Sequence, residues 1–252
     1  MSIKMVVTDL DGTLLYDDKT ISPRTKAAFE GLRKKGIKTV YATGRGASAI
    51  ELTSSCQFDG AAHNNGAIAY DGDELLYKKL LSADSVRELL IACDKAGVRI
   101  VAECNNYHYA NFDIAKEWPW PIQYEIVDFT NHKESAEKLY AILDSQNVLD
   151  VMAKNLGEAQ YLQATRDGFA LVMHEEAQKS KAVAKLAQRW NIDKSEIVAF
   201  GDDVNDLDLL EYCGIGVAMG NAVDEVKAIA NQVCDTNEND GIAKWLEENL
   251  ND

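Results

Sequence analysis

The stretch that decides the fold is VVTDLDGTL, residues 6–14, near the start of the 252-residue chain. Its apolar, β-branched beginning predicts a buried strand that ends at Asp9. Ligands of parallel α/β sheets bind beyond the carboxyl ends of the strands, where Asp9 and Asp11 would lie. Two carboxylates this close repel each other unless a cation or a shared proton lies between them, and Mg²⁺ suits an oxygen-only site. One of these two carboxylates could act as a nucleophile and the other as a general acid and base. The alternative is that the two aspartates simply form a capped polar turn at the end of the strand.

A second stretch of the same kind is IVAFGDDVND, residues 197–206. Asp202 follows an apolar run, and Asn205 with Asp206 comes near the start of the next predicted helix. The helix dipole favours an anion or a carboxylate at that position. An ordinary helix cap with an acidic first turn is the alternative. Two strand ends that both carry acids indicate a metal site more strongly than either does alone.

Two weaker motifs suggest a place for an anion. Thr43 and Gly44 offer a hydroxyl and an unhindered main-chain amide at the end of another apolar run, which together form a small anion cradle. Lys179 comes just before a predicted helix over 180–190, where its charge can hold a phosphoryl oxygen and offset the acids. An ordinary turn and a solvated surface lysine are the alternatives.

The two ends of the chain differ in pattern from its middle. Strands and helices alternate at both ends, which predicts a parallel sheet with helices on both faces, a Rossmann-like three-layer α/β core. In the middle we expect a hairpin at Asn105-Asn106, a helix from near Asn131 and a hairpin turning at Asp167-Gly168. We therefore expect a core domain of residues 1–82 and 179–252 with an α+β domain, 83–178, inserted into it.

The charge and cysteine content of the chain make some classes of function and location less suitable than others. The chain has 41 acidic and 26 basic residues and a net charge of −15, so nucleic acid and anionic membranes are poor partners, whereas one pocket can still take a small anionic substrate. Its five cysteines are odd in number and form no CxxC pair, which favours reduced thiols and a cytoplasmic location. We see neither a signal peptide nor a membrane span. A monomer is plausible, although the sequence does not determine oligomeric state.

The order of these motifs, DxDGT, then TGR, then a lysine, then GDDVND, resembles the haloacid dehalogenase superfamily of aspartyl-phosphate phosphatases. The resemblance covers essentially the whole chain, and the inserted domain resembles the type IIB (C2B) cap of the Cof-like branch. It implies that Asp9 attacks phosphorus and that Asp11 protonates the leaving alcohol and then activates water. It also implies Mg²⁺ held by Asp9, the main-chain carbonyl of Asp11, and Asp202.

The resemblance assigns the phosphoryl group to four residues: Thr43, Gly44, Lys179 and Asn205. Asp206 would support the metal or Lys179, Arg45 would be a structural ion-pair partner, and Asn65 of an NGA-like turn could face substrate or simply form the turn. The family usually has Lys-Gly where this chain has Lys179-Ser180-Lys181, so Lys181 is the alternative motif lysine.

These features predict a Mg²⁺-dependent phosphatase of small phosphomonoesters. Sugar phosphates and phosphorylated cofactors such as pyridoxal phosphate or flavin mononucleotide are the expected substrates. A sugar phosphomutase of the same fold is the first alternative. A non-catalytic, receiver-like phosphoacceptor is the second, and the inserted domain argues against it.

Overall fold

The computed structural model describes residues 2–118, 123–144, 147–164 and 168–250. Its strands, in chain order, are β1 (Met5–Thr8), β2 (Lys38–Ala42), β3 (Gly60–His63), β4 (Ile68–Asp71), β5 (Glu74–Lys78), β6 (Ile100–Cys104), β7 (Tyr107–Ala110), β8 (Tyr124–Ile126), β9 (Lys138–Ile142), β10 (Ala159–Ala164), β11 (Phe169–His174), β12 (Ile197–Gly201), β13 (Ile215–Ala218) and β14 (Gln232–Val233). Its α-helices are α1 (Pro23–Lys34), α2 (Ser48–Thr53), α3 (Ala83–Lys95), α4 (Asn147–Lys154), α5 (Lys179–Trp190), α6 (Leu207–Tyr212), α7 (Asp224–Ile229) and α8 (Gly241–Asn249).

The chain divides into two compact units. The core unit comprises Met1–Lys78 and Gln178–Asp252, and the inserted unit comprises Lys79–Ala177. No helix within the described ranges has the length and apolar character that crossing a membrane requires.

The core unit contains one mixed sheet with the strand order β14-β13-β12-β1-β2-β3-β4-β5. Pairing is parallel from β14 through β3, and β4 and β5 continue it as an antiparallel edge. This confirms the predicted Rossmann-like α/β class. β1 lies between β12 and β2, and its four residues are all buried. Because the strands beside it run in the same direction, their carboxyl ends meet at one edge of the sheet.

Helix α1 shows how the local sequence sets the boundaries of an element. The Ser22 side chain accepts a hydrogen bond from the amide of Thr25 and caps the helix, and Pro23 takes the first helical position. Both choices satisfy or remove amides that have no partner inside the helix. Phe29 and Leu32 are buried in the core of the sheet. The local sequence therefore fixes where α1 begins.

The inserted unit has a six-stranded sheet with the order β10-β11-β9-β6-β7-β8. Its core cluster joins Val86 and Leu90 of α3 and Met152 of α4 to residues of β6 and β9. The predicted hairpin between β6 and β7 is confirmed. Asn105 and Asn106 have φ of 51° and 65°, the left-handed conformation that a two-residue hairpin turn requires and that Asn tolerates well.

The helix expected from near Asn131 is wrong. Residues Lys138–Ile142 instead form β9, which pairs with β6 on one side and β11 on the other. Leu139 and Ala141 are fully buried, so a central place in the sheet outweighs the helical propensity of the residues before them. The hairpin expected around Asp167-Gly168 is present as β10 and β11, and Asp167 itself lies outside the described residues.

A buried ion pair in the inserted unit gives a pH prediction. Glu103 and Lys138 lie on adjacent strands, with Nζ 3.4 Å from Oε2, and the Tyr140 hydroxyl donates to Glu103. Burial raises the pKa of Glu103, but Lys138, His108 and Tyr140 outweigh it and hold that pKa well below its ordinary value. This pair therefore stabilises the fold above the ordinary Glu pKa of about 4.3 and loses that contribution as the pH falls below it.

We expect Glu103→Gln to lower the stability of the inserted unit by about 3 kcal/mol at pH 7, because the buried Lys138 loses its ion pair with Glu103. Hydrogen exchange of the β6 and β9 amides measures the loss, which should shrink as the pH falls through 4 toward 3. The double change Glu103→Gln with Lys138→Met should recover most of the protection. Equal protection in wild type and Glu103→Gln at pH 7 would refute the prediction.

Candidate active site

Four neighbouring parallel strands end at one edge of the core sheet, and a polar residue follows each. Asp9 follows β1, Thr43 follows β2, Asn64 follows β3 and Asp202 follows β12. The ladder continues one residue beyond β1, where the Asp9 amide donates to the Phe200 carbonyl at 3.0 Å. Distant parts of the chain therefore present their polar side chains at a common edge.

Lys179 joins two of the acids. It is the first residue of α5 and fully buried, and its Nζ donates to Asp9 Oδ1 at 2.7 Å and to Asp206 Oδ1 at 2.6 Å. Burial lowers the pKa of Lys179, but the attraction of Asp206 and Asp9 outweighs it and raises that pKa above its ordinary value. Lys181 is only partly buried. Residues two apart on a helix face different sides, so Lys181 cannot take the same place.

The carboxyl group of Asp9 is strongly perturbed by its surroundings. Burial raises its pKa well above the ordinary value, Lys179 opposes this, and the carboxylates of Asp206 and Asp202 raise it further. A carboxyl in this environment ionises readily only when further positive charge is near. A bound cation supplies such charge and favours the ionised form.

Three carboxylates form a cluster that suits a divalent cation. Asp9, Asp202 and Asp206 each offer an oxygen, and these oxygens all lie within 4.8 Å of one another. Thr13 Oγ1 donates to Asp202 Oδ1 at 2.7 Å and so fixes that carboxylate. Three acids against Lys179 leave the cluster with a formal charge of −2, and all of the donors are hard oxygens. This donor set fits Mg²⁺.

Two details of the local backbone hold the cluster in place. Gly12 has φ +74°, and a Cβ there would lie 2.4 Å from Asp202 Oδ2, so only glycine fits beside that carboxylate. The second carboxylate oxygen of Asp206 accepts hydrogen bonds from the amides of Asp202 and Asp203 at 3.0 and 3.2 Å. With Lys179 on its first oxygen, Asp206 uses both oxygens to hold its neighbours.

The Asp11 side chain has different partners. Arg45 donates to both of its oxygens, with Nη2 2.7 Å from Oδ1, and Lys19 Nζ lies 2.8 Å from the same oxygen. Burial raises the pKa of Asp11, but the hydrogen bonds from Arg45 and Lys19 outweigh it and lower that pKa below its ordinary value. Arg45 thus holds Asp11 ionised.

The residues expected to bind an anion lie next to one another. Thr43 is buried, and its Oγ1 accepts a hydrogen bond from the Arg45 amide at 3.1 Å. Asn205 Nδ2 donates to Asn65 Oδ1 at 2.9 Å. A Cβ on Gly44 would lie 3.2 Å from Asn65 Oδ1 and 3.7 Å from Asn205 Nδ2. Asn65, one of the residues expected either to face the substrate or to form the turn, therefore lies in hydrogen-bond contact with Asn205.

Sequence reasoning missed three contributors to this edge. Thr13 orients Asp202, Lys19 reaches Asp11, and Asn221 Nδ2 donates to the Gly12 carbonyl at 2.8 Å. Asn221 follows β13, another parallel strand, so its position relative to the sheet could have drawn attention to it. Thr13 belongs to the DxDGT motif itself. Lys19 lies in a polar loop and carries no comparable signal.

Known proteins resemble this chain over nearly its whole length. A family model described as haloacid dehalogenase-like hydrolase matches residues 6–246. The Bacillus subtilis (strain 168) 5-amino-6-(5-phospho-D-ribitylamino)uracil phosphatase YitU is 28% identical, with 97% of this chain and 96% of that protein covered.

Solved structures show the same fold over almost the whole chain. BT1666 from Bacteroides thetaiotaomicron, a phosphatase of the haloalkanoate (HAD) superfamily, has a TM-score of 0.87 at 30% identity and covers 98% of this chain and 95% of its own. The HAD subclass IIB sugar phosphatase BT4131 has a TM-score of 0.83 at 26% identity, with 97% and 98% covered. The chain belongs to the haloacid dehalogenase-like hydrolases, and within them it is a phosphatase, a hydrolase of phosphomonoesters.

Proposed function

We propose that the chain is a Mg²⁺-dependent phosphatase that hydrolyses small phosphomonoesters through an aspartyl phosphate on Asp9. One observation carries the proposal. The buried Asp9 carboxylate lies at the end of the central strand with the Lys179 ammonium 2.7 Å away. A nucleophile and a group that neutralises phosphoryl charge are therefore adjacent at the edge where ligands bind.

In the first transfer, an Asp9 oxygen attacks phosphorus in line with the leaving alcohol. A bond forms between Asp9 and phosphorus, the ester P–O bond breaks, and Asp11 gives a proton to the departing oxygen. Thr43, Gly44 and Lys179 hold the phosphoryl oxygens during the transfer. Since phosphoryl transfer depends mainly on positioning and charge neutralisation, these contacts supply most of what the reaction needs.

In the second transfer, water hydrolyses the intermediate. Asp11, now ionised, takes a proton from water as the water oxygen attacks phosphorus, and the bond to Asp9 breaks to leave inorganic phosphate and free Asp9. Asn205, held by Asn65, would contact the phosphoryl group. Asp206 keeps Lys179 and the turn after β12 in place throughout.

We assign Mg²⁺ to the side chains of Asp9 and Asp202 and the main-chain carbonyl of Asp11. When bound, it would neutralise the charge of the phosphoryl oxygens and of the clustered carboxylates. Asp206 uses both of its oxygens for hydrogen bonds, so it supports this site from behind. The Asp11 side chain serves as a base while Arg45 holds it, and it must leave that pairing to carry a proton as an acid.

The substrate class is a small phosphomonoester. Sugar phosphates and phosphorylated cofactors such as pyridoxal phosphate or flavin mononucleotide remain our expectation. One relative acts on a phosphorylated ribitylaminouracil. We therefore include in the candidate substrates a ring that carries a phosphorylated sugar alcohol. We assign substrate selection to the inserted domain, residues 83–178.

The five cysteines are free thiols, which supports a cytoplasmic location.

The test is phosphate release from a panel of sugar phosphates, pyridoxal phosphate, flavin mononucleotide and the phosphorylated ribitylaminouracil. We expect release in Mg²⁺, loss of release in EDTA, and recovery when excess Mg²⁺ is restored. The reason is that the acidic cluster carries a formal charge of −2 and repels a phosphate dianion unless a cation is bound.

Undiminished release in EDTA from protein stripped of metal would contradict the metal assignment. Phosphate transferred to another position of a sugar, in place of phosphate release, would indicate a mutase. A stable phosphoprotein without turnover would indicate a phosphoacceptor.

A further inference from the structure

One turn contacts every part of the anion-binding edge. It comprises His63, Asn64, Asn65 and Gly66, directly at the end of β3. Asn64, Asn65 and Gly66 have φ of 51°, 52° and 87°, so three successive residues are left-handed. For the two asparagines this conformation costs free energy that the surrounding contacts must offset.

Main-chain hydrogen bonds tie this turn to the Thr43 loop. The Asn65 amide donates to the Thr43 carbonyl at 2.9 Å, and the Asn64 amide donates to the Arg45 carbonyl at 2.9 Å. The turn also approaches the start of α5. A Cβ on Gly66 would lie 2.1 Å from the Gln178 carbonyl oxygen, so the chain just before Lys179 packs directly on the turn.

His63 adds a side-chain contact from this turn to the end of the loop. Its Nδ1 lies 2.9 Å from the Gly46 carbonyl oxygen, and its Nε2 lies 3.0 Å from the Tyr41 hydroxyl. A carbonyl can only accept, so Nδ1 carries the proton; when the ring is neutral, Nε2 then accepts from Tyr41. Burial raises the pKa of the Tyr41 hydroxyl, which keeps that group a donor.

We propose that His63 is a positioning residue for phosphate binding: its Nδ1–H holds the Gly46 carbonyl and so fixes the loop of Thr43 and Gly44, with Tyr41 setting the tautomer. His63 itself is buried, 5% exposed, and acts through the loop without touching the phosphoryl group. The inference rests on the proposed function. It concerns the geometry of the anion cradle, where small displacements of a loop are costly to binding and rate.

Two substitutions separate the two ring nitrogens. In His63→Asn the amide nitrogen stands as many bonds from Cα as Nδ1 does, so it can still donate to the Gly46 carbonyl. In His63→Gln the amide nitrogen stands where Nε2 does and reaches only toward Tyr41. Both variants lose the edge-on ring contacts with Tyr41 and Tyr70, and their side chains differ in size only by a methylene group.

The readout is the affinity for inorganic phosphate in Mg²⁺, measured by calorimetry, together with KM and kcat on the best substrate of the panel. We expect His63→Gln to weaken phosphate binding and raise KM about 10-fold. His63→Asn should stay within about threefold of wild type in both. Thermal unfolding midpoints of the two variants should fall by similar amounts.

Equal phosphate affinities in the two variants, whether both normal or both weakened, would overturn the role of Nδ1. A purely structural role of His63 predicts that outcome. If wild type binds phosphate but turns over no phosphomonoester, the proposed function fails while the comparison of affinities still decides the role of His63. The two failures are therefore distinguishable.

Discussion

Asp9→Asn is expected to reduce phosphate release by about 10⁴-fold or more, because an amide cannot form the aspartyl phosphate and the remaining groups only bind the ester. The amide is nearly isosteric with the carboxyl, so Lys179 and the end of β1 keep their positions. Initial rates on the best substrate in saturating Mg²⁺ measure the loss. Mass spectrometry of the intact variant excludes conversion of the amide back to Asp.

The stability of this variant makes the result easy to interpret. Burial and two neighbouring carboxylates raise the pKa of Asp9, so its charge costs folding free energy at neutral pH in metal-free protein. In EDTA the thermal midpoint of Asp9→Asn should equal or exceed that of wild type, the trade between stability and activity that active sites often show. Asp73→Asn, an exposed change in the β4–β5 turn, is the matched control and should alter neither property. Activity of Asp9→Asn within tenfold of wild type would remove Asp9 as nucleophile.

The positions of Asp9 and Asp202 could be anticipated because each follows an apolar run that can only be a buried strand. Parallel strands end at a common edge, so two such acids must approach each other whatever the rest of the chain does. Thr43 follows the same logic on β2. The fold class and the neighbourhood of these residues therefore depend on sheet topology, which the sequence pattern predicts well.

Side-chain direction could not be anticipated in the same way. Asp11 lies two residues after Asp9, yet it turns to Arg45 and Lys19, because the backbone reverses at Gly12 with φ +74°. His63 offers no motif either, since its role depends on a tautomer fixed by Tyr41 and on a carbonyl of a separate loop. Such contacts depend on tertiary structure and leave no periodic signal.

In the inserted unit, local sequence gave a wrong prediction of secondary structure. The polar stretch after Asn131 contains good helix formers, which favoured a helix. Lys138–Ile142 instead pairs with strands on both sides, and burial of Leu139 and Ala141 outweighs local propensity. The helix nearby, α4, covers eight residues within the described part of the chain.

In the core site, the buried Lys179 offsets the charge of the buried acids Asp9 and Asp206. Its ammonium holds two carboxylates at 2.6 and 2.7 Å with no exposed surface. Taking such charges out of water is costly, and the attraction between them repays the cost only with this geometry. Lys179 therefore has a structural task in the resting protein and a catalytic one in the proposed reaction, and a test must separate them.

Lys179→Met is expected to lower phosphate release by about 10³-fold, as the loss of a buried group that stabilises developing charge does in other enzymes. Lys181→Met, two positions along the same helix, should change the rate by less than about threefold, because its side chain faces another side of α5. Removing the ammonium also leaves buried acids uncompensated, which we expect to cost about 3–5 kcal/mol of stability. Rates in saturating Mg²⁺ and circular dichroism of each variant measure the two effects.

A second variant separates folding from chemistry. Lys179→Met combined with Asp206→Asn removes one negative charge together with the positive one, and the amide oxygen can still accept from the amides of Asp202 and Asp203. Stability should return toward wild type while the rate stays low, because the phosphoryl group still lacks its cation. Recovery of activity along with stability would reduce Lys179 to a structural residue. A large loss in Lys181→Met with a small one in Lys179→Met would transfer the role to Lys181, against the buried geometry that places Lys179 on Asp9.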